Sequence, residues 1–587
     1  MTPKKEACLY DQPFMSTIKR LHQFKSVTCN LILLLQFITF ANVYGQPAGY
    51  FRNPLDIPIA LSANFAEIRT NHFHSGFDLR TNGETGYKVY AAADGVVSRI
   101  KVSSGGFGNV LYISHPNGYM TVYAHLDRFN DVIASYVKQQ QYAKQSFEVE
   151  LFPDASKFSF KKGELIAYSG NSGSSGGPHL HFEIRDASGE TYPLNPASFY
   201  SLKDTIAPKL TAAYLYDLQS NNADPVKYSL QKNKTGYRMN GDSITVSQQV
   251  IGIALEAADY MNNTSNDYGI YEYRLQLDDK LIYSVKFERL DFANGRYVNA
   301  FIDYKMLKVS GEKIQKLFRL PGDRNNIYHG LVNDGKIILT DGVFHKIEVI
   351  ATDAYQNSSR LTFFAKSTLK SNASTPIAGK GTIFRYQEPN SFTSDSIQLN
   401  LPANILYEDI VFNYAAKTGD TKRHSATHQV HNISTPVHDN YTISILPRFI
   451  PPALQSKALI VYDDGTGIKS TKTSRWEGKW LTARAREFGY FYVLLDTVAP
   501  KITCENVKQN QLFTTNIIRF SIADKLSGIV SYKGLLVGLW ILMEYDAKND
   551  RLQCTLDKQT AAGEHTLKVI VTDDVKNEST YTLKFKK

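Results

Sequence analysis

The passage Asp204-Thr-Ile-Ala-Pro-Lys209 returns as Asp496-Thr-Val-Ala-Pro-Lys501, and His345-Lys-Ile-Glu-Val-Ile-Ala-Thr-Asp353 with Asn357 returns as His565-Thr-Leu-Lys-Val-Ile-Val-Thr-Asp573 with Asn577. Passages that recur in the same order mark two related units, each opening with the first passage and closing with the second. The closing passages alternate apolar and polar residues and end in Asp and Asn turns, as half-buried strands do. From the opening Asp to the closing His there are 141 residues in the first unit and 69 in the second, so the first carries a long insertion. At 587 residues the chain is long enough for roughly three to five domains. Its 36 Tyr and 32 Phe favour β-rich ones.

Lys19, Arg20 and Lys25 precede the apolar stretch Leu31 to Ala41, and Val43-Tyr44-Gly45 supplies small residues before Gln46. This predicts a signal peptide cleaved near Gly45. An apolar run of about 11 residues is too short for a membrane span, so no stable span is expected after cleavage. Cys29 lies ahead of the apolar run, so a lipoprotein signal is not expected. Exported location, periplasmic or at the cell surface, follows. Without residues 1–45, 61 basic and 54 acidic residues remain, a net charge of +7 that gives mild attraction to anionic polymers, and no basic block with interleaved aromatics points to nucleic acid. Cys504 and Cys554 remain after cleavage, and export permits a disulfide between them.

Chemistry concentrates in three passages: His74-Ser-Gly-Phe-Asp78, Tyr123-Ala-His125-Leu126 and His179-Leu-His181. Leu180, Phe182 and Ile184 alternate with His179, His181, Glu183 and Arg185, which predicts a strand with both histidines on one face. Imidazoles together with a carboxylate suit one zinc ion, whose catalytic sites use three protein ligands and leave a position for water. One histidine of the pair can bind the metal while the other reaches over the water; sharing one zinc is not required. Val96, Ser98, Ile100 and Val102 are expected on one face of a strand, with Val110 to His115 and Tyr119 to His125 as further strands of an antiparallel sheet.

With Val89-Tyr-Ala-Ala-Ala-Asp-Gly95, Gly108-Asn109, Ser169-Gly-Asn-Ser-Gly173, Gly177-Pro-His179-Leu-His181-Phe-Glu183 and Asn195-Pro196 added, the segment from about Tyr50 to Tyr200 resembles the M23 family of zinc peptidases, the lysostaphin and LytM type. The resemblance implies Zn2+ held by His74, Asp78 and His181, with His125 and His179 as the catalytic pair. It further implies a zinc-dependent endopeptidase acting on peptide cross-links of peptidoglycan. Two other readings stand beside it: a non-cleaving LytM-like regulator of a cell-wall amidase, and a wall-binding scaffold.

The expected fold class is all-β, an antiparallel-sheet M23 peptidase domain followed by β-sandwich domains that resemble immunoglobulin-like ones. The expected division is a leader at 1–45, the peptidase at 46–203 with a helical insertion near 128–160, an Ig-like sandwich with insertion at 204–371, a sandwich with some likeness to ZU5 at 372–495, and an Ig-like sandwich at 496–587. The sandwiches would position the peptidase, bind wall polymer or engage an envelope protein partner. Asp131 to Gln145 has helix formers and few breakers; the helix either borders the substrate groove or is a surface excursion. Gly170 to Gly177 is read as a flexible groove wall, and Glu183 as either a partner of an imidazole or an exposed carboxylate. His72 is a weaker alternative ligand, and His115, in a turn sequence, is expected to be exposed. His424, His428, His431 and His438 form the one rival histidine cluster.

Overall fold

Strand alternation dominates the chain, and the computed structural model, which describes residues 49–186, 191–219, 224–369, 381–557 and 560–587, is 48% strand and 8% helix. The expected leader lies outside the described residues. Residues 51–587 pack as one compact unit.

The first sheet runs in the order Leu61–Ala63, Phe77–Arg80, His179–Asp186, Tyr119–Phe129, Asn109–Ser114, Gly95–Val102, Ser159–Phe160, with antiparallel neighbours throughout. The His179–Asp186 strand is central and nearly all buried, so polar groups on it need partners within the protein. In the Gly95–Val102 strand the expected face fails. Val97 and Ile100 are both fully buried, because the register shifts between Val97 and Arg99 and the extra residue exchanges the faces.

Asp131–Lys144 is helical. Asn130 caps it by accepting from Ile133 N–H at 3.0 Å, and Gln145 ends it in the left-handed region at φ 48°. Its buried residues Ile133, Val137 and Gln141 follow one another at four-residue spacing along a single face. The outer face meets the C-terminal part of the chain: Tyr142 packs edge-on to Trp540 at 5.0 Å, and Lys138 pairs with Asp557 at 2.8 Å. Lys548 donates to the carbonyls of Asn171 and Ser175 in the glycine-rich loop.

The two repeated units share a pairing plan. Lys209–Asp217 pairs with Val250–Ala258, and Lys501–Cys504 with Ile517–Ala523. The closing strands His345–Thr352 and Glu564–Asp573 each lead antiparallel into the next, Ser358–Ser367 and Glu578–Lys586, and each of those takes a short parallel partner, Ser243–Val246 and Gln511–Leu512. Between the units, two five-stranded sheets enclose one core that includes Ile397, Ile443, Ile460, Leu481 and Phe491.

The second region, residues 204–371, is packed tightly on the first sheet. Phe73 is buried between Phe287 and Phe301, with ring centroids at 5.3 and 5.7 Å, and Asn64 exchanges two hydrogen bonds with Gly269 at 2.8 and 2.9 Å.

The disulfide expected between Cys504 and Cys554 does not form; both are free thiols. They occupy strands on opposite sides of Ile517–Ala523, facing Phe520 and Ile518 respectively. Two strand spacings alone separate their Cα atoms by about 9.6 Å, beyond the roughly 7 Å reach of a disulfide. Protein purified without reductant and alkylated after denaturation should carry label on both Cys504 and Cys554; an unlabelled, linked peptide pair in the mass spectrum would contradict this geometry.

Candidate metal centre

His181 stands opposite Asp78 in one ladder and opposite Ala124 in the other. Directly opposed residues project to the same face, so strand register alone brings Asp78 to His181. Asp78 Oδ1 is 2.8 Å from His181 Nδ1 and 3.0 Å from His74 Nε2, and those two nitrogens are 3.1 Å apart. His74 comes from the turn ahead of Phe77. At Gly76 a Cβ would stand 2.3 Å from the Phe182 carbonyl, so only glycine lets that turn lie against the central strand.

His125 reaches the site differently, from a left-handed backbone at φ 56° that non-glycine residues seldom adopt. Pairing irregularities lie beside it in both adjoining ladders, and such bulges re-aim a side chain. The His125 ring centroid lies 4.9 Å from that of His179 and 5.8 Å from that of His181. Its N–H donates to the Phe107 carbonyl at 2.9 Å, which helps hold a conformation costing about 1–3 kcal/mol. The Phe107 ring stacks on His181 at 5.1 Å.

Each imidazole has one nitrogen engaged by an oxygen acceptor. His74 Nδ1 lies 2.6 Å from the Asn64 carbonyl, His181 Nε2 2.9 Å from Glu183, His125 Nδ1 2.9 Å from the Ser172 carbonyl and His179 Nδ1 2.8 Å from the Gly177 carbonyl. An oxygen acceptor calls for N–H there and leaves the lone pair on the other nitrogen. For His74 and His181 those lone pairs converge with the Asp78 carboxylate, all within 4.8 Å. Three groups so placed can hold a cation between them, and two imidazoles with one carboxylate are a zinc donor set.

Electrostatics follow from the burial. Burial opposes ionisation of Asp78, but the neighbouring imidazoles of His74, His179 and His181 hold its pKa well below the usual range. Burial lowers the His181 pKa, yet Asp78 and Glu183 carry it up to about 9 among protein groups alone. His125 is pushed down to about 3 by burial and by His181 and His179, which keeps it neutral at neutral pH.

Glu183 is fully buried and is the imidazole partner of the two readings above. It accepts from Ser75 Oγ, and from Arg185 Nε at 2.5 Å. Burial raises its pKa, but Arg185 and His181 bring it to about 2. Arg185 is the group the sequence reading passed over. Its signal was present, since it continues the polar face His179, His181, Glu183. The glycine-rich loop also does more than wall a groove, because its carbonyls orient both His125 and His179.

The other histidines lie apart. His72 is exposed and held to the Thr70 carbonyl at 3.0 Å. His115 is buried, not exposed: it bridges the Asp94 carbonyl and Thr121 Oγ1, each at 2.8 Å, and packs on Phe51, because the turn begins only after it. His428, His431 and His438 hydrogen-bond to Tyr414, Thr435 and Tyr407, and among the described residues this cluster does not converge into a ligand set.

Replacing Arg185 by Met would leave the Glu183 carboxylate buried and without its cation. The expected loss is about 3–5 kcal/mol, read from urea unfolding, with the Arg185→Met/Glu183→Gln double variant recovering part of it; a single variant as stable as the parent would show that the pair is dispensable.

Residues 72–146 match peptidase family M23, and residues 381–496 match the Zu5-like domain. A DD-carboxypeptidase/endopeptidase, Mpg, of Neisseria meningitidis serogroup B is 30% identical over 206 residues, 35% of this chain and 35% of that protein. The peptidoglycan DD-endopeptidase ShyA of Vibrio cholerae is 31% identical over 139 residues, 23% of this chain and 26% of that one. The chain thus spans about a third or less of the length of these curated relatives. A solved zinc-containing peptidase from Vibrio cholerae aligns at 26% identity with a TM-score of 0.19, covering 26% of this chain and 40% of that one. The stretch that carries His74, Asp78 and His125 thus matches peptidase family M23, and a stretch further along the same chain matches the Zu5-like domain.

Proposed function

We propose that the chain is a zinc metalloendopeptidase that hydrolyses peptide cross-links of bacterial peptidoglycan. The observation that carries this reading is the convergence of His74 Nε2, Asp78 Oδ1 and His181 Nδ1 while the second nitrogen of each histidine is engaged elsewhere. The relatives named as peptidoglycan endopeptidases support the substrate class.

In this reading His74, Asp78 and His181 hold the metal. Zinc, when bound, supplies Lewis-acid activation of water and of the scissile carbonyl. The chain's own residues do the rest. With Nδ1–H fixed by backbone carbonyls, His125 and His179 each present Nε2. His179 Nε2 is 3.4 Å from Asp78 Oδ1, so it borders the metal position. Neutral His125 and its neighbour divide the proton work, one accepting from the attacking water and the other donating to the oxyanion or leaving amine. Glu183, held by Arg185, keeps the His181 ring oriented, as partners of metal-binding imidazoles do.

An exported setting fits this activity. The basic and apolar leader reads as a signal peptide, and no helix among the described residues is long and apolar enough to cross a membrane. The repeated units are read as immunoglobulin-like sandwiches that present the peptidase to the wall. All five expected site positions are retained, which favours cleavage over the regulator reading.

The test is digestion of purified peptidoglycan, with muropeptides read by mass. Loss of cross-linked dimers that needs zinc and is abolished by Asp78→Ala, and by His125→Ala in protein that still binds zinc, is the expected result. Intact dimers after incubation with folded, zinc-loaded protein would sink the proposal. Metal binding should also depend on pH with a defined sign. Without metal, Asp78 and Glu183 raise the His181 pKa to about 9, so zinc binding would release a proton there and affinity should rise with pH between pH 6 and 8, by up to about tenfold per unit. Competition titrations against a chromophoric chelator read this slope, and a flat profile would contradict a raised His181 pKa in the metal-free site.

A further inference from the structure

We propose that Asp204, Asp259 and Asp353 bind one hard divalent cation, calcium by their geometry, where the second region meets the peptidase sheet. One carboxylate oxygen of each lies within 4.8 Å of the others. Calcium–oxygen distances of 2.3–2.6 Å allow ligand oxygens up to roughly 5 Å apart, and an all-oxygen donor set selects a hard cation over zinc.

The second observation is unsatisfied bonding. Asp259 is 4% exposed, and its Oδ1 has no hydrogen-bond partner; nor has the buried Oδ2 of Asp204. Buried, unpartnered carboxylate oxygens are costly. No basic side chain among the described residues pairs with any of the three. Asp353 is committed differently, accepting from Tyr355 N–H, Asn357 N–H and Asn357 Nδ2 at 2.7–2.9 Å. These bonds fix its orientation and leave Asp259 and Asp204 to supply free oxygens. A cavity of about 20 Å³ lined by Asn64, Asp259, Met261 and Tyr355 adjoins the cluster, room for about one water-sized guest.

The repeat supplies an internal comparison. Lys209 pairs with Ala258, just before Asp259; Lys501 pairs with Ala523, just before Asp524. Asp496, Asp524 and Asp573 therefore form the equivalent triad. There, backbone N–H groups take the oxygens: Ser527 donates to Asp496 Oδ2, and Leu526 and Gly528 donate to Asp524 Oδ2. That triad keeps no orphaned carboxylate oxygen, and the proposal is confined to the first.

A cation there would act at a sensitive place. The backbones of Asp259 and Tyr268 exchange hydrogen bonds at 2.9 and 3.0 Å, Gly269 is clamped by the Asn64 side chain, and the Asn64 carbonyl faces His74 Nδ1. Ordering Asp259 therefore steadies a loop that touches the residue holding a candidate metal ligand.

The experiment is calorimetric titration of CaCl2 into the zinc-loaded full chain, alongside Asp259→Asn and Asp524→Asn. The expected result is one calcium per chain with a Kd of about 10⁻⁴–10⁻³ M, weakened at least tenfold by Asp259→Asn and unchanged by Asp524→Asn, with calcium raising the thermal midpoint of the parent protein. Absence of calcium binding by the parent protein would overturn the proposal, as would binding that Asp259→Asn leaves intact. Should Asp259→Asn not fold, terbium luminescence of the parent protein, displaced by calcium, decides alone: no sensitised emission overturns it. Because the readout is calcium binding to zinc-loaded protein, its failure is separate from failure of the peptidase reading.

Discussion

Glu183 has no contact with solvent, yet it carries a charge in the middle of the central strand. A lone carboxylate there would cost several kcal/mol. It is tolerated because Arg185, two residues on and on the same face, supplies the counter-charge, while Ser75 and His181 occupy its remaining lone pairs. The arrangement runs in both directions. Arg185 makes Glu183 affordable, and Glu183 fixes which nitrogen of His181 faces Asp78. The geometry of the candidate metal site is thus rooted in a charge pair buried beneath it, whose guanidinium lies over the Phe292 ring at 4.7 Å.

Phe292 belongs to the second region, and so do Phe287 and Phe301 around Phe73. The peptidase sheet therefore does not complete its own core. Phe73 immediately precedes His74, and Asn64, whose carbonyl meets that imidazole, is gripped by Gly269. Apolar burial and paired amide bonds across this contact make the second region part of the wall that holds the candidate ligands, rather than a tether.

Much of this was readable before any coordinates. The period-two pattern from His179 to Arg185 placed the candidate site histidines and the core on opposite faces, and short motifs marked all five candidate positions. What stayed hidden was set by partners distant in sequence. Asp259 and Asp524 resemble no repeated passage; only the pairing of Lys209 with Ala258 and of Lys501 with Ala523 shows them to be equivalent. A bulge at Ser98 reversed a face that simple alternation predicted. The thiols looked bondable from composition, and an intervening strand separates them. His115 sits beside turn residues but ends its strand inward, against Phe51.

The hydrogen bonds from Lys548 to the Asn171 and Ser175 carbonyls join residues 377 and 373 positions apart. A chain leaves the ribosome N-terminus first and folds region by region. His125 and His179, and the loop carbonyls that aim them, are therefore synthesised and can be in place long before Lys548 exists. A region made much later settles on the glycine-rich loop, so the newborn chain passes through an interval in which Lys548 does not yet meet that loop.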